Sequence, residues 1–271
     1  YFVTVLNAAG CTSVDTATVV PSHVIMPNLA TSAASCNGLC DATATVGPVG
    51  GLPPYTYVWT PEPASGQNTA MATGLCAGTY QVAIADSTGC DTVVNVLITA
   101  PQPVAVDAQV AQVSCHGACD ATIVLSPTGG NGFYSFTWSP VPPNGQGSNG
   151  AFNLCPGTWT VTVADISGCD TTLSFTITEP DSLQAATTST LSNCNVCDGT
   201  ASVVPTGGTL PYVISWSLNG GAVGADSTVT GLCAGLYLVQ VTDAHGCVVE
   251  LPVPVTDAGA EQLATTNFML D

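Results

Sequence analysis

The sequence repeats with a period of about 79 residues, and this period constrains the possible folds more than any other feature. Four cysteines recur first at an interval of 79 and then at intervals of 78 or 79. A Gly-Gly pair and a tryptophan recur with them, and a chain with such self-similarity consists of copies of one structural unit. The recurring cysteines are Cys36, Cys40, Cys76 and Cys90, then Cys115, Cys119, Cys155 and Cys169, then Cys194, Cys197, Cys233 and Cys247.

This period divides the 271 residues into three complete copies and two fragments. The fragment 1–22 aligns with the C-terminal strands of a preceding copy, and 258–271 aligns with the first strand of a following one. Because both ends cut through a copy, we expect a segment of a longer polypeptide. The complete copies, named repeat one, repeat two and repeat three, are predicted at residues 23–101, 102–180 and 181–257.

Each copy has the pattern of a small all-β domain. Short segments alternate apolar and polar residues, are rich in Val and Thr, and are separated by Gly, Pro and Asn. Roughly seven such strands per copy predict tandem immunoglobulin-like β-sandwich modules, arranged as an elongated rod. Trp138 falls on the third strand, where such folds bury a tryptophan. Tyr80, Trp159 and Tyr237 fall on the sixth, at the tyrosine-corner position, where Trp159 lacks the phenol and is not expected to make the corner hydrogen bond.

The charge composition excludes several functions. The chain has 18 Asp and Glu residues and no Lys or Arg, so its formal net charge is −18. Phosphate backbones are bound by cationic side chains, and we therefore expect no nucleic-acid partner. Lysine nucleophiles and arginine fingers are impossible, and no apolar run approaches the roughly 18 residues that a membrane span requires.

The motif of repeat one resembles the SprB-type repeat. It comprises Cys-Asn-Gly at 36–38, Asp-Ala-Thr-Ala-Thr-Val at 41–46, Gly-Gly-Leu-Pro-Pro-Tyr-Thr-Tyr-Val-Trp at 50–59, Leu-Cys-Ala-Gly-Thr-Tyr at 75–80 and Asp-Ser-Thr-Gly-Cys at 86–90. SprB-type repeats occur in giant secreted surface proteins of Bacteroidota, including gliding-motility adhesins, and the layout is also similar to PKD-type sandwiches. The resemblance covers residues 23–257, although repeat two lacks the Pro-Tyr of the motif. It implies an exported, cell-surface role and no catalytic one.

Strand directions limit which cysteines can pair. We call the end of a repeat at which its first strand begins the leading end, and the opposite end the trailing end. A strand of about nine residues spans roughly 30 Å, whereas a disulfide requires Cα atoms within about 7 Å. The first, second and third cysteines of a repeat are expected at its trailing end. This predicts the intra-repeat bonds Cys40–Cys76, Cys119–Cys155 and Cys197–Cys233.

The last cysteine of each repeat is expected at the leading end, facing the trailing end of the preceding repeat. We therefore hypothesise the inter-repeat bonds Cys36–Cys169 and Cys115–Cys247, while Cys11, Cys90 and Cys194 bond to segments outside this chain. One alternative pairs the first and last cysteine within a repeat, such as Cys36–Cys90, through a non-standard strand path. The other alternative is zinc, which is disfavoured because neither a constant Cys-x2-Cys spacing nor a histidine recurs.

Aspartates cluster around the turn that contains the last cysteine. Asp86, Asp91, Asp165 and Asp170 are candidate Ca²⁺ ligands, with Asp243 at the same turn of repeat three. The alternative explanation is that Asp favours turns and tolerates their backbone geometry. We favour the turn explanation and expect no bound cofactor, with dissolved cations supplying the counterions.

Two further residue sets suggest contact with sugars. Asp followed by Ser or Thr resembles the O-glycosylation signal of Bacteroidota, although Thr-rich strands that begin after Asp produce the same pattern. These positions are Thr16, Ser87, Thr92, Thr171, Ser182 and Ser227. Aromatic residues before the third strand can stack on glycans or complete the core; they are Tyr55, Tyr57, Phe133, Tyr134 and Tyr212.

Catalysis has little support. The three histidines, His23, His116 and His245, do not recur, and no Ser-His-Asp set suggests itself. The sequence favours a structural segment of a long secreted, protease-resistant bacterial surface fibre or adhesin. Its expected partners are neighbouring repeats of the same chain and, in a filament, other copies. Two alternatives stay open: modules that bind glycans or surfaces directly, and a passive stalk that presents a functional domain elsewhere in the full chain.

Overall fold

The computed structural model describes residues 2–16, 24–193 and 196–258. His23, Cys194 and nearly all of the predicted C-terminal fragment lie outside the described residues. Every named element of the described part is a β-strand. The strands before repeat two are β1 (Phe2–Leu6), β2 (Thr12–Thr16), β3 (Leu29–Thr31), β4 (Ala42–Val46), β5 (Thr56–Thr60), β6 (Met71–Leu75), β7 (Gly78–Ala85) and β8 (Asp91–Ile98).

Repeats two and three carry the remaining strands. Repeat two contains β9 (Ala105–Ala111), β10 (Ala121–Thr128), β11 (Ser135–Ser139), β12 (Gly150–Leu154), β13 (Gly157–Ala164) and β14 (Asp170–Ile177). Repeat three contains β15 (Gln184–Ser189), β16 (Gly199–Thr206), β17 (Val213–Leu218), β18 (Gly221–Gly224), β19 (Thr228–Leu232), β20 (Gly235–Thr242) and β21 (Val248–Val255).

The strand order confirms the immunoglobulin-like β-sandwich. In repeat one the sheets have the orders β3-β4-β6 and β5-β7-β8, and repeat two repeats this arrangement as β9-β10-β12 and β11-β13-β14. Repeat three has β15-β16-β19 and β18-β17-β20-β21. The strand pairs of repeats one and three are antiparallel. The first, second and fourth strands of repeat one thus form one sheet and its third, fifth and sixth strands the other, as in immunoglobulin folds.

Repeats one and two have six described strands rather than the seven expected, and prolines supply the reason. The connection after the third strand contains two prolines within 61–63 and three within 140–143. Proline has no N–H to join a ladder, so this connection forms no strand. In repeat three, Asn219-Gly220 has positive φ at both residues, 49° and 82°, and closes a two-residue hairpin that adds β18.

The core of each sandwich is centred on the recurring tryptophan. Trp59, Trp138 and Trp216 are at most 2% exposed. A buried indole N–H needs a hydrogen-bond acceptor. Each indole Nε1 donates to the backbone carbonyl ten residues later, namely Thr69 at 3.0 Å, Ser148 at 3.0 Å and Asp226 at 2.9 Å.

The residue at the corner position makes a local hydrogen bond in all three repeats. The Tyr237 hydroxyl donates to the Cys233 carbonyl at 3.1 Å, and the Tyr80 hydroxyl accepts a backbone N–H four residues earlier. The expectation that Trp159 cannot make this bond is wrong. Its indole Nε1 donates to the Cys155 carbonyl at 3.1 Å, because an indole N–H reaches the same carbonyl as a phenol hydroxyl.

The described structure falls into two compact units. Unit one comprises Tyr1–Ala105, Thr128–Tyr134 and Ala164–Asp170. Unit two comprises the remainder of repeat two together with repeat three: Val106–Pro127, Ser135–Val163 and Thr171–Asp271. Unit one therefore contains repeat one and the turn segments of the leading end of repeat two. The repeat boundaries given above follow the sequence period and stay predictions, as does the elongated arrangement.

Two further observations complete the fold. Strands β1 and β2 form a separate two-stranded hairpin in which Phe2 pairs with Thr16, and all of its strand residues are exposed. Within the described ranges, no helix has the length and apolar character needed to cross a membrane.

Candidate functional site

Each unit contains one disulfide that links two repeats, and we call its surroundings a cystine joint. Joint one lies within unit one, where Cys36 bonds Cys169 across a Cα–Cα distance of 5.5 Å. Joint two lies within unit two, where Cys115 bonds Cys247 across 5.7 Å. The first cysteine of a repeat therefore pairs with the last cysteine of the following repeat. The bonds span 133 and 132 residues of sequence, so each closes a very long loop.

A second class of disulfide lies within each repeat. Each bond joins the turn after the first strand to the turn before the strand that carries the corner residue, over a sequence separation of 36. These bonds are Cys40–Cys76, Cys119–Cys155 and Cys197–Cys233. The structure thus brings together all five cysteine pairs proposed from strand direction. Cys11 is exposed and Cys90 half-buried, and both are free thiols.

An aspartate closes the first turn of each repeat, and in repeats one and two this turn carries the joint cysteine. The Ser35 N–H donates to Asp41 Oδ1 at 2.9 Å, and the Ser35 hydroxyl also donates to this carboxylate. In repeat two the Ser114 N–H donates to Asp120 Oδ1 at 2.9 Å. The serine hydrogen bonds lower the pKa of Asp41 and of Asp120. In repeat three, Asn193 donates both its N–H and its side-chain amide to Asp198, which lowers the pKa of that carboxyl.

A second aspartate organises the turn that carries the last cysteine. In repeat one, Asp86 Oδ1 accepts the Thr88 hydroxyl at 2.7 Å and the N–H groups of Thr88 and Cys90 at 2.9 and 3.0 Å. Its Oδ2 accepts the Leu52 N–H at 3.0 Å. The Thr88 hydroxyl, aided by the backbone N–H donors, lowers the pKa of Asp86 to about 2. The carboxylate therefore acts as the acceptor that fixes this turn.

The equivalent aspartates of the two joints repeat this arrangement. Asp165 Oδ1 accepts the N–H groups of Ser167 and Cys169 at 2.8 and 3.0 Å, and its Oδ2 accepts the Asn131 N–H at 2.7 Å. Burial raises the pKa of Asp165, but the N–H donors outweigh burial and the pKa lies below its usual value. The same balance lowers the pKa of Asp243, which accepts the N–H groups of Thr209, His245 and Cys247 at 2.8–2.9 Å.

These contacts bear on the Ca²⁺ candidates. Asp86 and Asp165 are 7% and 5% exposed and accept hydrogen bonds through both oxygens, while Asp91 and Asp170 are exposed at the start of the next strand. Among residues 2–16, 24–193 and 196–258, no group of three or more His, Cys, Asp and Glu side chains is placed to hold a metal ion. The hydrogen bonds give the turn aspartates a structural role.

The Gly-Gly pair packs against this aspartate and the linker. A Cβ on Gly129 would lie 2.1 Å from the Pro103 carbonyl oxygen, and a Cβ on Gly130 would lie 2.6 Å from Asp165 Oδ2. Both glycines have positive φ, at 75° and 57°. The pair recurs because the turn, the linker and the carboxylate approach too closely for any side chain. The sequence period identified the pair but not this role.

The trailing-end carbonyl beside each joint cysteine accepts a side-chain donor from the next repeat. In joint one, Asn131 Nδ2 donates to the Ser35 carbonyl at 3.0 Å. In joint two, His245 Nδ1 lies 3.2 Å from the Ser114 carbonyl, at hydrogen-bond distance. Neither donor recurs in the sequence, so no periodic signal could have identified them.

The loop between the first two cysteines also contacts the linker that follows its repeat. In repeat one, Asn37 Nδ2 donates to the Pro101 carbonyl at 3.2 Å. In repeat two, Glu179 Oε2 accepts the Gly117 N–H at 2.7 Å and lies 3.4 Å from His116 Nδ1. Each joint thus includes the linker as well as the cystine.

Most of the candidate sugar-binding aromatics serve the fold. The hydroxyls of Tyr55, Tyr134 and Tyr212 each donate to the carbonyl of the first glycine of the Gly-Gly pair. Tyr57 is half-buried and packs against the core of repeat one. Phe133 differs, because it has positive φ at 52° and is 85% exposed.

The candidate glycosylation residues fall into two groups by accessibility. Thr16, Ser87, Ser182 and Ser227 are exposed, although the Ser87 hydroxyl donates to the Leu52 carbonyl at 2.9 Å. Thr92 and Thr171 are half-buried on β8 and β14.

Comparison with known families supports the resemblance seen in the motif. Residues 28–63 and 108–142 match the SprB repeat. The resemblance inferred from sequence is confirmed for these two segments, which lie in repeats one and two. No curated protein matches the chain by sequence.

Several solved structures are similar to this chain at low sequence identity. The three N-terminal domains of the bacteriophage RB49 Hoc protein are 14% identical, with 87% of this chain and 100% of that chain covered and a TM-score of 0.48. A Dscam structure is 12% identical, with 94% and 79% covered and a TM-score of 0.28. A C-terminal intimin fragment, solved with the intimin-binding domain of Tir, is 15% identical, with 60% and 66% covered and a TM-score of 0.33. The fold assignment rests on the strand order of this chain.

Proposed function

We propose that this chain is a structural segment of a secreted bacterial surface fibre or adhesin. The observation that carries the proposal is the cystine joint, which occurs twice with the same cysteines, the same turn aspartate and the same Gly-Gly packing. A joint of this kind limits movement between successive repeats. Such a device suits a protein whose task is reach and durability.

Composition supports an extracellular setting. Five described disulfides in a chain of this size are typical of an oxidising compartment. The absence of Lys and Arg denies trypsin-like proteases any cleavage site. The SprB-repeat segments agree with an exported surface protein.

The role is mechanical rather than catalytic. The turn aspartates Asp86, Asp165 and Asp243 recur in all three repeats. Their carboxylate oxygens accept hydrogen bonds from backbone N–H groups. The uniform negative charge of −18 opposes self-association and binding to acidic polymers. Neighbouring repeats are therefore the proposed principal partners.

Antibody labelling tests the location and imaging tests the form. An antibody raised against repeat two should label intact cells of the source bacterium as strongly as permeabilised cells. Electron microscopy of the released full-length protein should show an extended fibre. Labelling that requires permeabilisation, or a single compact globule with reduced thiols, would overturn the proposal.

Phe133 favours one alternative, in which the modules bind glycans directly. An aromatic ring that is 85% exposed is a suitable stacking surface for a sugar. On a glycan array, wild-type protein should then bind and the Phe133→Ala variant should lose that binding. Equal signals from both proteins would remove this alternative.

A further inference from the structure

The disulfides of the two classes lie in series along the chain. Starting from Cys36, the joint bond leads to Cys169, and fourteen residues back along the chain lead to Cys155. The intra-repeat bond then leads to Cys119, four residues lead back to Cys115, and the second joint bond leads to Cys247. This route from Cys36 to Cys247 uses eighteen residues of backbone, whereas the chain itself uses 211.

We propose that the disulfides form a continuous covalent load path that bypasses the β-sandwiches. Under tension, the shortest covalent route becomes taut first and every longer route stays slack. Most of the sandwich backbone lies on the longer routes. An oxidised chain thus stays short even after its sheets have unfolded. The proposal concerns connectivity alone and holds whether or not the chain forms a surface fibre.

The lengths involved make the effect large. Repeat two contributes eighteen residues to the path, and at most about 3.6 Å per residue this is about 65 Å. A reduced repeat of about 79 residues extends to about 280 Å on the same basis. A folded eight-residue strand is already about 27 Å long. Unfolding an oxidised repeat therefore releases tens of ångströms, where a reduced repeat releases more than about 200 Å.

The remaining two disulfides lie at the same intervals from the joint cysteines. Cys76 lies fourteen residues before Cys90, and its bond to Cys40 leads to Cys36 after four residues. The same interval of fourteen separates Cys233 from Cys247 at the other end. Three of the five described disulfides therefore lie on one series, and the other two, Cys40–Cys76 and Cys197–Cys233, repeat its four- and fourteen-residue intervals next to the joint cysteines.

Single-molecule force spectroscopy on the 271-residue chain, held at its two termini, tests the proposal. The shortest oxidised route comprises thirty-five residues before Cys36, eighteen between the joints and twenty-four after Cys247. We expect a contour length of about 280 Å without reductant and about 970 Å with a phosphine reductant. The Cys11→Ser variant is the matched control, because Cys11 lies outside the series, and its length should not change.

A second variant distinguishes this path from the alternative pairing. Cys36→Ser with Cys169→Ser should lengthen the oxidised route by twenty-five residues, a gain of about 90 Å. Contour length is read from the fully extended chain, so the result stands even if this variant folds poorly, provided non-reducing mass spectrometry finds its remaining bonds. Pairing of the first and last cysteine within each repeat would instead give the oxidised wild type a contour length of about 390 Å. That longer wild-type length, or an unchanged length in the double variant, would overturn the proposal.

Discussion

The two cystine joints share one framework but complete it with different side chains. In joint one, Asn131 donates to the carbonyl beside Cys36; in joint two, Thr209 occupies the position of Asn131 and donates only its N–H, to Asp243. The side-chain donor there is His245, which stands where joint one has Ser167. The cystine, the turn aspartate and the Gly-Gly pair recur without change. The comparison indicates that the recurring framework sets the joint geometry, while the final hydrogen bond is interchangeable.

Removing either joint cystine should have the largest effect, and an equal one in both joints. Cys36→Ser with Cys169→Ser, or Cys115→Ser with Cys247→Ser, should each cost about 2–5 kcal/mol of unfolding free energy. The loops span 133 and 132 residues, so their closure entropies are nearly identical. Calorimetry without reductant measures both losses. A difference of several kcal/mol between the two variants would show that the joints are not equivalent.

The second prediction concerns the close approach of glycine to aspartate. Gly130→Ala places a methyl group 2.6 Å from Asp165 Oδ2 at a φ of 57°, and Gly208→Ala places one 2.8 Å from Asp243 Oδ2 at 58°. We expect each to cost about 3 kcal/mol, from left-handed strain together with displacement of the carboxylate. Chemical denaturation measures the loss.

Gly168→Ala is the matched control for the collision. This glycine also has positive φ, at 82°, but its Cβ would meet nothing within 4 Å. It should lose only the backbone component, about 1 kcal/mol. Equal losses at 130 and 168 would mean that the carboxylate moves freely and does not fix the turn.

These elements differ in how far the sequence could predict them. Strand length separates the two ends of a sandwich by far more than a disulfide can span, so spacing predicted the intra-repeat pairs. It only suggested the inter-repeat pairs and left Cys36–Cys90 open as an alternative. Trp59, Trp138 and Trp216 were recognisable as core residues because they recur on an alternating strand. In the described structure, repeats one and two lack a strand after their third strand, and the prolines of that connection indicate this in the sequence. The expectation of seven strands per repeat did not take these prolines into account.

The joint contacts were beyond sequence reasoning for a physical reason. Asn131 and His245 come from turns, where neither alternation nor period indicates direction. Which donor reaches a carbonyl far away in the sequence depends on the relative placement of two loops. Trp159 shows the same limit. Its residue type supplies an indole N–H, but whether that N–H reaches the Cys155 carbonyl depends on where the ring lies.

Acid should weaken both joints through the turn aspartates. Asp165 and Asp243 have a lowered pKa in the folded state, as does Asp86 with a pKa of about 2 against an ordinary value of 3.8. A lowered folded pKa gives stability that is fully present above the ordinary value and is lost as pH falls towards the folded pKa. The melting temperature of the protein should therefore decrease as the pH is lowered from about 5 to about 2. Asp165→Asn and Asp243→Asn should each flatten this dependence, and a wild-type profile that is flat over this range would contradict the assignment.

The interchangeable donors should give the smallest effect and the sharpest test of the comparison. Asn131→Ala removes the hydrogen bond to the Ser35 carbonyl and a longer one, at 3.4 Å, to Asp165 Oδ2, whereas His245→Ser removes the contact with the Ser114 carbonyl. Each variant should cost about 0.5–1.5 kcal/mol. If the cystine, the turn aspartate and the Gly-Gly pair set the joint geometry, an asparagine at position 209 should be able to replace His245 as the side-chain donor of joint two. Adding Thr209→Asn to His245→Ser places an amide at the position of Asn131, and most of the lost stability should return in a calorimetric melt. Thr209→Ala in the same background supplies no donor and should return none. Failure of the asparagine to restore stability, with both joint cystines intact, would show that the two joints differ in backbone geometry and not only in their side-chain donors.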